Sequence, residues 1–453
     1  MLQTLFVIPY EIGGVRIFGL GVLLAAWTLA CVIGFAVAIR RRGFDAEVRG
    51  YLPVAIIVGL AIFLLPTLLP GGFSVRGYGM MMLLGIVSGV ALAAYRSRRF
   101  GVDPELIFTL AFWVFVTGIA GARLFYVIEY HEQYFGGQRS LADSIVAMLN
   151  ISEGGLVVYG AFIAVMIAVA VFVRKYRVPG FALADLIAPS MFLGLAFGRI
   201  GCLMNGCCFG GACDLPWSVQ FPWGSPPHER QVARGLVDVH GIKFDGQPDE
   251  PPIIAEVVPG SSADKAGFVK GDRIRAVAGV VQERDKAGNL QWVTPDRQEV
   301  NSIKAAATEL LRFHGDGATI TIEATAASIA GARGNTKPRV KSAQWTLSAP
   351  PRSLSVHPVQ IYSAIDALLI CLLLLAYSPY HRGDGEVIGL ALLVYPIARF
   401  LEEEIRKDEP LIGWTQLTIS QNVSLLVFAA GIVVWCYILT RPRRLALMPA
   451  TAA

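Results

Sequence analysis

The feature that most constrains this chain is the recurrence of apolar windows long enough to cross a lipid bilayer. A hydrocarbon core about 30 Å thick needs about 20 mainly apolar helical residues. By that measure about nine windows qualify, over roughly 17–39, 51–70, 77–95, 106–129, 155–173, 182–201, 358–377, 386–401 and 419–440. The weakest is 386–401, which is short and runs into the charged stretch Arg399 to Glu409. With 54% hydrophobic and 16% charged residues over 453 positions, and a mean hydropathy of +0.55, the chain is too apolar for one soluble globule. The expected fold class is therefore an all-α polytopic membrane protein with lipid as part of its solvent. The first apolar stretch follows an uncharged start and lacks a clear small-residue cleavage site, so it is expected to remain as a span.

Charge placement orients the spans. Arg40, Arg41 and Arg42 follow the first window, Arg96, Arg98 and Arg99 the third, Arg174, Lys175 and Arg177 the fifth, and Arg441, Arg443 and Arg444 the ninth. Every odd-numbered span but the seventh thus ends in a basic cluster. That places the N-terminus outside, the C-terminal tail (441–453) in the cytoplasm of a bacterial inner membrane, and the long segment between spans six and seven outside. The net charge of +5 is small and forms no basic tract, so nothing points to a nucleic-acid partner.

An internal echo marks the opening of the chain. Val15-Arg16-Ile17-Phe18-Gly19, a span and Arg41-Arg42-Gly43-Phe44-Asp45 recur as Val75-Arg76-Gly77-Tyr78-Gly79, a span and Arg98-Arg99-Phe100-Gly101-Val102-Asp103. The first pair of spans (1–72) reads as a degenerate copy of the next two, with Phe18 where the second copy offers the Tyr78 hydroxyl.

Between about 223 and 355 the composition turns charged and rich in Gly and Pro, with strand-like alternation such as Ala318-Thr319-Ile320-Thr321-Ile322. Within it, Ile253 to Phe268 reads as a strand, a Pro259-Gly260 turn and a short helix ended by Gly267, and Gly271-Asp272 turns into the next strand. This resembles the bacterial PDZ pattern over about 250–348, which implies an inserted soluble α+β domain. PDZ domains take an extended peptide as an added strand on a sheet edge. A spacer without a ligand would show the same composition.

Charged side chains inside spans are costly and are functional candidates by default, with ion pairing between helices as the alternative. Arg123 follows the small residues of Gly118-Ile119-Ala120-Gly121-Ala122, Arg199 sits in Phe197-Gly198-Arg199-Ile200-Gly201, and Tyr395, Arg399, Glu402, Glu403 and Glu404 occupy the eighth span and its end. His357, Gln360 and Tyr362 open the seventh. Asp185, near the start of the sixth, is expected at the interface. Arginines outnumbering carboxylates near the outer leaflet suit an anionic headgroup, because guanidinium grips phosphate oxygens bidentately.

Seven local motifs in order make the pattern specific. They are Arg76-Gly77-Tyr78-Gly79, Gly121-Ala122-Arg123-Leu124, Gly154-Gly155-Leu156-Val157-Val158-Tyr159-Gly160, Gly198-Arg199-Ile200-Gly201 with Asn205-Gly206, Asp214-Leu215-Pro216-Trp217, His357-Pro358-Val359-Gln360-Ile361-Tyr362 and Arg399-Phe400-Leu401-Glu402-Glu403. In this order the chain resembles the prolipoprotein diacylglyceryl transferases over 73–222 and 356–440, with the first two spans and the insert as additions. The resemblance implies transfer of diacylglyceryl from phosphatidylglycerol to the lipobox cysteine of a preprolipoprotein signal peptide, with no cofactor and no metal. It further implies that Arg199 holds the lipid phosphate and that Arg399, oriented by Glu403, stabilises the leaving group. Tyr78, Asn205 and Tyr395 would bond the headgroup, His357, Gln360 and Tyr362 would shape the outer wall, and Arg123 and Gly210 belong to the substrate-binding set.

Three departures stand out against that family. Tyr159-Gly160 replaces a His-Gly pair proposed to help deprotonate the thiol, and a phenol with a pKa of about 10 is a weak base at neutral pH. Cys202 and Cys207 replace an Asn and a Glu. Cys202, Cys207, Cys208 and Cys213 place four thiols within twelve residues. Outside the cytoplasm disulfide pairing is the favoured explanation, ahead of zinc, which usually shows Cys-x-x-Cys spacing. Cys31, Cys371 and Cys436 lie in apolar runs as small hydrophobes. The runner-up is a paralogue that binds phospholipid or performs another lipid transfer, with the insert as a peptide-binding module. A membrane-anchored PDZ adaptor is a third class, and Arg199 and Arg399 inside spans speak against it.

Overall fold

A computed structural model describes residues 4–12, 14–43, 46–68, 73–135, 144–145, 147–148, 155–284, 290–313, 319–325, 340–346, 352–406, 411–440 and 445–446. Gly154 and the basic cluster Arg441, Arg443 and Arg444 lie outside these residues, as does Lys407 to Glu409. Among the described residues seven helices are long and apolar enough to cross a membrane. These are α1 (Val22–Arg42), α3 (Gly77–Arg99), α4 (Pro104–Glu129), α6 (Val158–Tyr176), α7 (Gly180–Asn205), α11 (Val359–Tyr377) and α13 (Ile419–Thr440). Expected spans two and eight are helical as well, as α2 (Ala46–Leu68) and α12 (Glu386–Ile405). Among the described residues α2 carries an apolar helical stretch over Ala55–Thr67, and α12 carries Arg399 and three glutamates at its end. A five-residue helix α5 (His131–Phe135) follows α4.

The chain divides into two compact units, Met1–Met80 with Cys202–Pro358, and Met81–Gly201 with Val359–Ala453. In the first unit β1 (Thr4–Ile8) pairs antiparallel with β4 (Phe73–Arg76), and β2 (Glu11–Ile12) with β3 (Val15–Arg16). Both Val-Arg pairs of the sequence echo therefore end a short strand ahead of an apolar helix. Helices α1 and α2 pack together, with the Trp27 indole donating to the Ala55 carbonyl at 3.1 Å.

The segment between α7 and α11 in this unit has its own core, built on Val232, Ile242, Phe244, Ile254, Phe268, Ile274, Ile303, Leu310, Ile320 and Ile322. Strands β7 (Arg273–Arg284), β8 (Leu290–Val293), β10 (Thr319–Thr325) and β11 (Val340–Thr346) order as β11-β10-β7-β8, with β9 (Gln298–Glu299) also on β7, while β5 (Ile242–Phe244) pairs β6 (Ile254–Val257). The alternation read from the sequence is realised in β10, where Ile320, Ile322 and Ala324 face inward with no exposure. Three helices complete it, α8 (Pro226–Ala233), α9 (Ser262–Lys265) and α10 (Ile303–Arg312). Ser302 caps α10 by accepting from the Ala305 amide at 3.2 Å.

The chain leaves for this segment and returns from it along a paired stem. Val219 and Val356 exchange backbone bonds of 3.1 Å each, the Ser353 amide donates to Phe221 at 2.9 Å, and the Cys213 amide donates to Ser355 at 3.0 Å. Phe209, Phe221 and Val356 bury against one another beneath it.

In the second unit α4 packs most extensively on α6, and α12 on α13 and α11. The first contact needs small residues, since a Cβ on Gly121 would meet the Gly160 carbonyl at 2.6 Å. Asp103 caps α4 by accepting from the Glu105 amide at 2.9 Å. Ala188 and Phe192 of α7 pack with Ile370, Cys371 and Leu374 of α11 and Val387 and Ala391 of α12. Asp185 is buried and accepts from the Gly385 and Ile388 amides at 2.6 and 2.8 Å, capping the start of α12. A carboxylate placed against free helix N–H groups is favourable, and no sequence spacing links two residues this far apart.

Candidate active site

Helix α12 is apolar until its last two turns, where charge concentrates on buried positions. Arg399, Glu402, Glu403 and Arg406 are each at most 9% exposed. Helical spacing puts Glu403 one turn past Arg399, and its carboxylate forms an ion pair with that guanidinium. Arg406 approaches the same carboxylate at 3.3 Å. Arg399 also donates to the Ser420 hydroxyl at the start of α13 at 2.9 Å, and the Gln421 amide donates to Glu404 at 2.6 Å. The guanidinium is thereby held in one orientation by groups from two helices.

Glu402 faces a different partner set. The Ser363 hydroxyl donates to it at 2.6 Å, Asp366 shares a hydrogen bond with it, and Arg199 of α7 is the cation within its electrostatic reach. Glu402 and Glu403, side by side on one turn of α12, thus face different cations: Arg399 pairs with Glu403, and Arg199 acts on Glu402 electrostatically. Ser363 and Asp366 are functional candidates the sequence reading passed over. The signal was present for Asp366, an acid in the middle of an otherwise apolar helix. Gln360 is fully buried one turn before Ser363 on α11, Tyr362 is half-buried, and the Tyr395 ring meets Phe192 edge-on at 5.5 Å.

Arg123 is occupied with structure. Its guanidinium donates to the carbonyls of Met148, Ala147 and Gly155 at 2.8, 2.8 and 3.0 Å, with Tyr126 and Tyr134 stacked at 5.3 and 6.0 Å. It clamps the segment leading into α6, and Tyr159 in the first turn of that helix is 49% exposed. An apolar cavity of about 510 Å³ lies between α4 and α6, lined by Trp113, Leu124, Ile167 and Phe172 among others. Of the seven motifs, one reaches it, through Gly121 and Leu124.

The remaining candidates belong to the other unit. Tyr78 is 41% exposed in the first turn of α3, and Asn205 is exposed at the end of α7. Gly210 is buried and its amide donates to the His357 carbonyl at 3.0 Å, while the His357 amide returns to Gly211 at 3.0 Å. Gly210 and His357 are therefore joined by the stem rather than merely near in motif order. No bridge is formed within the cluster, and the sulfurs of Cys202, Cys207 and Cys208 lie within 4.8 Å of one another. Among the described residues this trio is the group able to hold a metal, and Cys213 is not part of it.

Helix α8 packs against both α10 and β5. The Trp223 indole donates to the Leu311 carbonyl at 2.6 Å, and its ring packs on His228 and His240. His240 bonds the Leu310 carbonyl at 3.0 Å, and burial pushes its pKa down to about 4. His228, with no exposure, is also pushed down by burial. Gly235 lies directly on the Phe244 carbonyl, leaving no room for a Cβ.

Comparison with known proteins matches the chain to a family. The profile described as prolipoprotein diacylglyceryl transferase matches residues 66–437. The phosphatidylglycerol–prolipoprotein diacylglyceryl transferase of Rhodopirellula baltica is 32% identical over 477 residues, covering 96% of this chain and 88% of that protein. The proteins of the same name from Trichormus variabilis and Clostridium tetani are 34% and 35% identical, covering 34% and 33% of this chain and 51% and 57% of their own lengths.

Proposed function

The chain belongs to the prolipoprotein diacylglyceryl transferase family, and from that premise we propose that it moves diacylglyceryl from phosphatidylglycerol to the lipobox cysteine of preprolipoproteins. The substrate thiolate attacks the glycerol carbon that bears the phosphate; a C–S bond forms, the C–O bond breaks and glycerol phosphate leaves. The observation that supports the proposal is the buried Arg399–Glu403 ion pair beside Glu402, on which Arg199 acts electrostatically. Fixed guanidiniums stabilise phosphate charge as it develops without reorganising. In this scheme Arg199 grips the lipid phosphate and Arg399, oriented by Glu403, Arg406 and Ser420, receives the leaving group.

Tyr78, Asn205 and Tyr395 hydrogen-bond the headgroup, and His357, Gln360 and Tyr362 form the outer wall. Tyr159 takes the place of a histidine base, so the thiol must lose its proton with less help from the protein. We also propose nine spans, with α2 and α12 as the additional two, the N-terminus and the insert outside, and the C-terminus in the cytoplasm. The insert is proposed as a PDZ-like module for an extended peptide. A peptide added at β5 has to displace the Pro226 to Gly235 segment, because α8 and Gly235 already cover that strand.

Purified protein given phosphatidylglycerol and a lipobox peptide should release glycerol phosphate, Arg199→Ala should abolish release, and Tyr159→Phe should lower it. No release from the native chain refutes the transfer, and release unchanged in Arg199→Ala refutes the site.

A further inference from the structure

We propose that Cys202, Cys207 and Cys208 form a three-thiolate site for a soft monovalent metal ion, with cuprous copper the best match. The site is built by the way α7 ends. The amides of Gly206 and Cys207 both donate to the Cys202 carbonyl, at 2.9 and 3.1 Å, so the chain folds back over the last helical turn. Gly206 makes that reversal at a φ of 79°, and a Cβ there would meet the fully buried Phe221 ring at 3.2 Å. Cys208 then takes a φ of 59°, a conformation residues other than glycine seldom adopt. The result is convergence of three sulfurs within 4.8 Å.

The donor set selects the ion. Sulfurs on a metal at about 2.3 Å stand about 4 Å apart in a trigonal plane, so the trio closes on an ion with small rotations. Structural zinc takes four ligands in a tetrahedron, and no His, Asp or Glu joins the three sulfurs among the described residues. Thiolates favour copper in its cuprous state. A disulfide would use two of the sulfurs and strand the third, since Cys213 stands outside the group. Binding releases a proton from each thiol that enters as thiolate. Asn205 lies inside the loop that the ion would close, so loading would fix the turn carrying it. The site does not depend on the transfer reaction and can be scored without it.

The test uses the full-length protein in detergent, reduced and handled without oxygen, titrated with cuprous ion against a cuprous chelator. One equivalent should bind, with a thiolate-to-copper ultraviolet band. Cys207→Ser and Cys208→Ser should each weaken uptake at least 100-fold, and Cys213→Ser should leave it unchanged. Because serine variants can misfold, the native protein is also alkylated with N-ethylmaleimide and mapped by mass spectrometry. Cuprous ion should protect Cys202, Cys207 and Cys208 and leave Cys213 reactive. Uptake below stoichiometry, equal loss in Cys213→Ser, absence of protection, or tighter retention of zinc than of copper each overturns the proposal.

Discussion

Arg399 and Glu403 face each other across one turn of α12, their ion pair almost fully buried, and the same carboxylate is approached by Arg406 at 3.3 Å. One acid therefore compensates two guanidiniums. Glu403→Gln removes the charge that both cations share, and breaking a buried pair in this way costs about 3 kcal/mol or more. Glycerol phosphate release should fall about 100-fold, the scale for losing one preorganised charge-stabilising group. Melting temperature in detergent should fall with it. Activity near that of the native protein would show that Arg399 needs no orientation by Glu403.

Asp366 supports a second expectation. It lies within hydrogen-bonding reach of Glu402, on which Arg199 also acts. Asp366→Ala removes the partner and leaves Glu402 to Ser363 and Arg199 alone. If the pair positions Arg199, the variant should raise KM for phosphatidylglycerol about 10-fold, a loss of about 1.4 kcal/mol in binding, while keeping a native melting curve. An unchanged KM would place Asp366 in packing only.

How much of this was legible in the sequence depends on which force sets each feature. The spans were readable because lipid demands runs of a fixed length, and α3, α4, α6, α7, α11 and α13 fall on the expected windows. Arg399 and Glu403 were readable because their spacing is local. Asp185 was not, because its partners lie on the first residues of a helix about two hundred positions away. Arg123 was identified as costly to bury, yet its carbonyl partners come from a segment with no pattern of its own. The cysteines were visible as a count, and their convergence depended on positive φ at Gly206 and Cys208.

Asp185 gives a stability prediction. Its carboxylate closes two backbone bonds at the start of α12, and hydrogen bonds to charged groups contribute about 1.5–3 kcal/mol each. Asp185→Ala should lower the melting temperature by several degrees, with Asp185→Asn between it and the native protein, since an amide oxygen replaces only one acceptor. Equal melting of all three would mean that water satisfies these amides as well as the carboxylate does.

The two histidines around Trp223 give the segment between α7 and α11 a pH dependence whose sign follows from burial. Folding holds His240 at about 4, below the unfolded value of about 6.5, so the unfolded chain binds more protons between those limits. Stability is then unaffected above about pH 7 and falls as pH decreases through that window, by about 3 kcal/mol for His240. His228 is shifted in the same direction for the same reason and adds to the loss. Both rings pack on the indole that anchors α8 to α10. Amide hydrogen exchange in 226–244, corrected for the intrinsic pH dependence of exchange, should therefore show protection lost first there between pH 6.5 and 4. His240→Gln should flatten the profile, because a neutral amide can still donate to Leu310. A segment equally protected at pH 7 and pH 4.5 would mean that the two rings carry no proton-linked share of its stability.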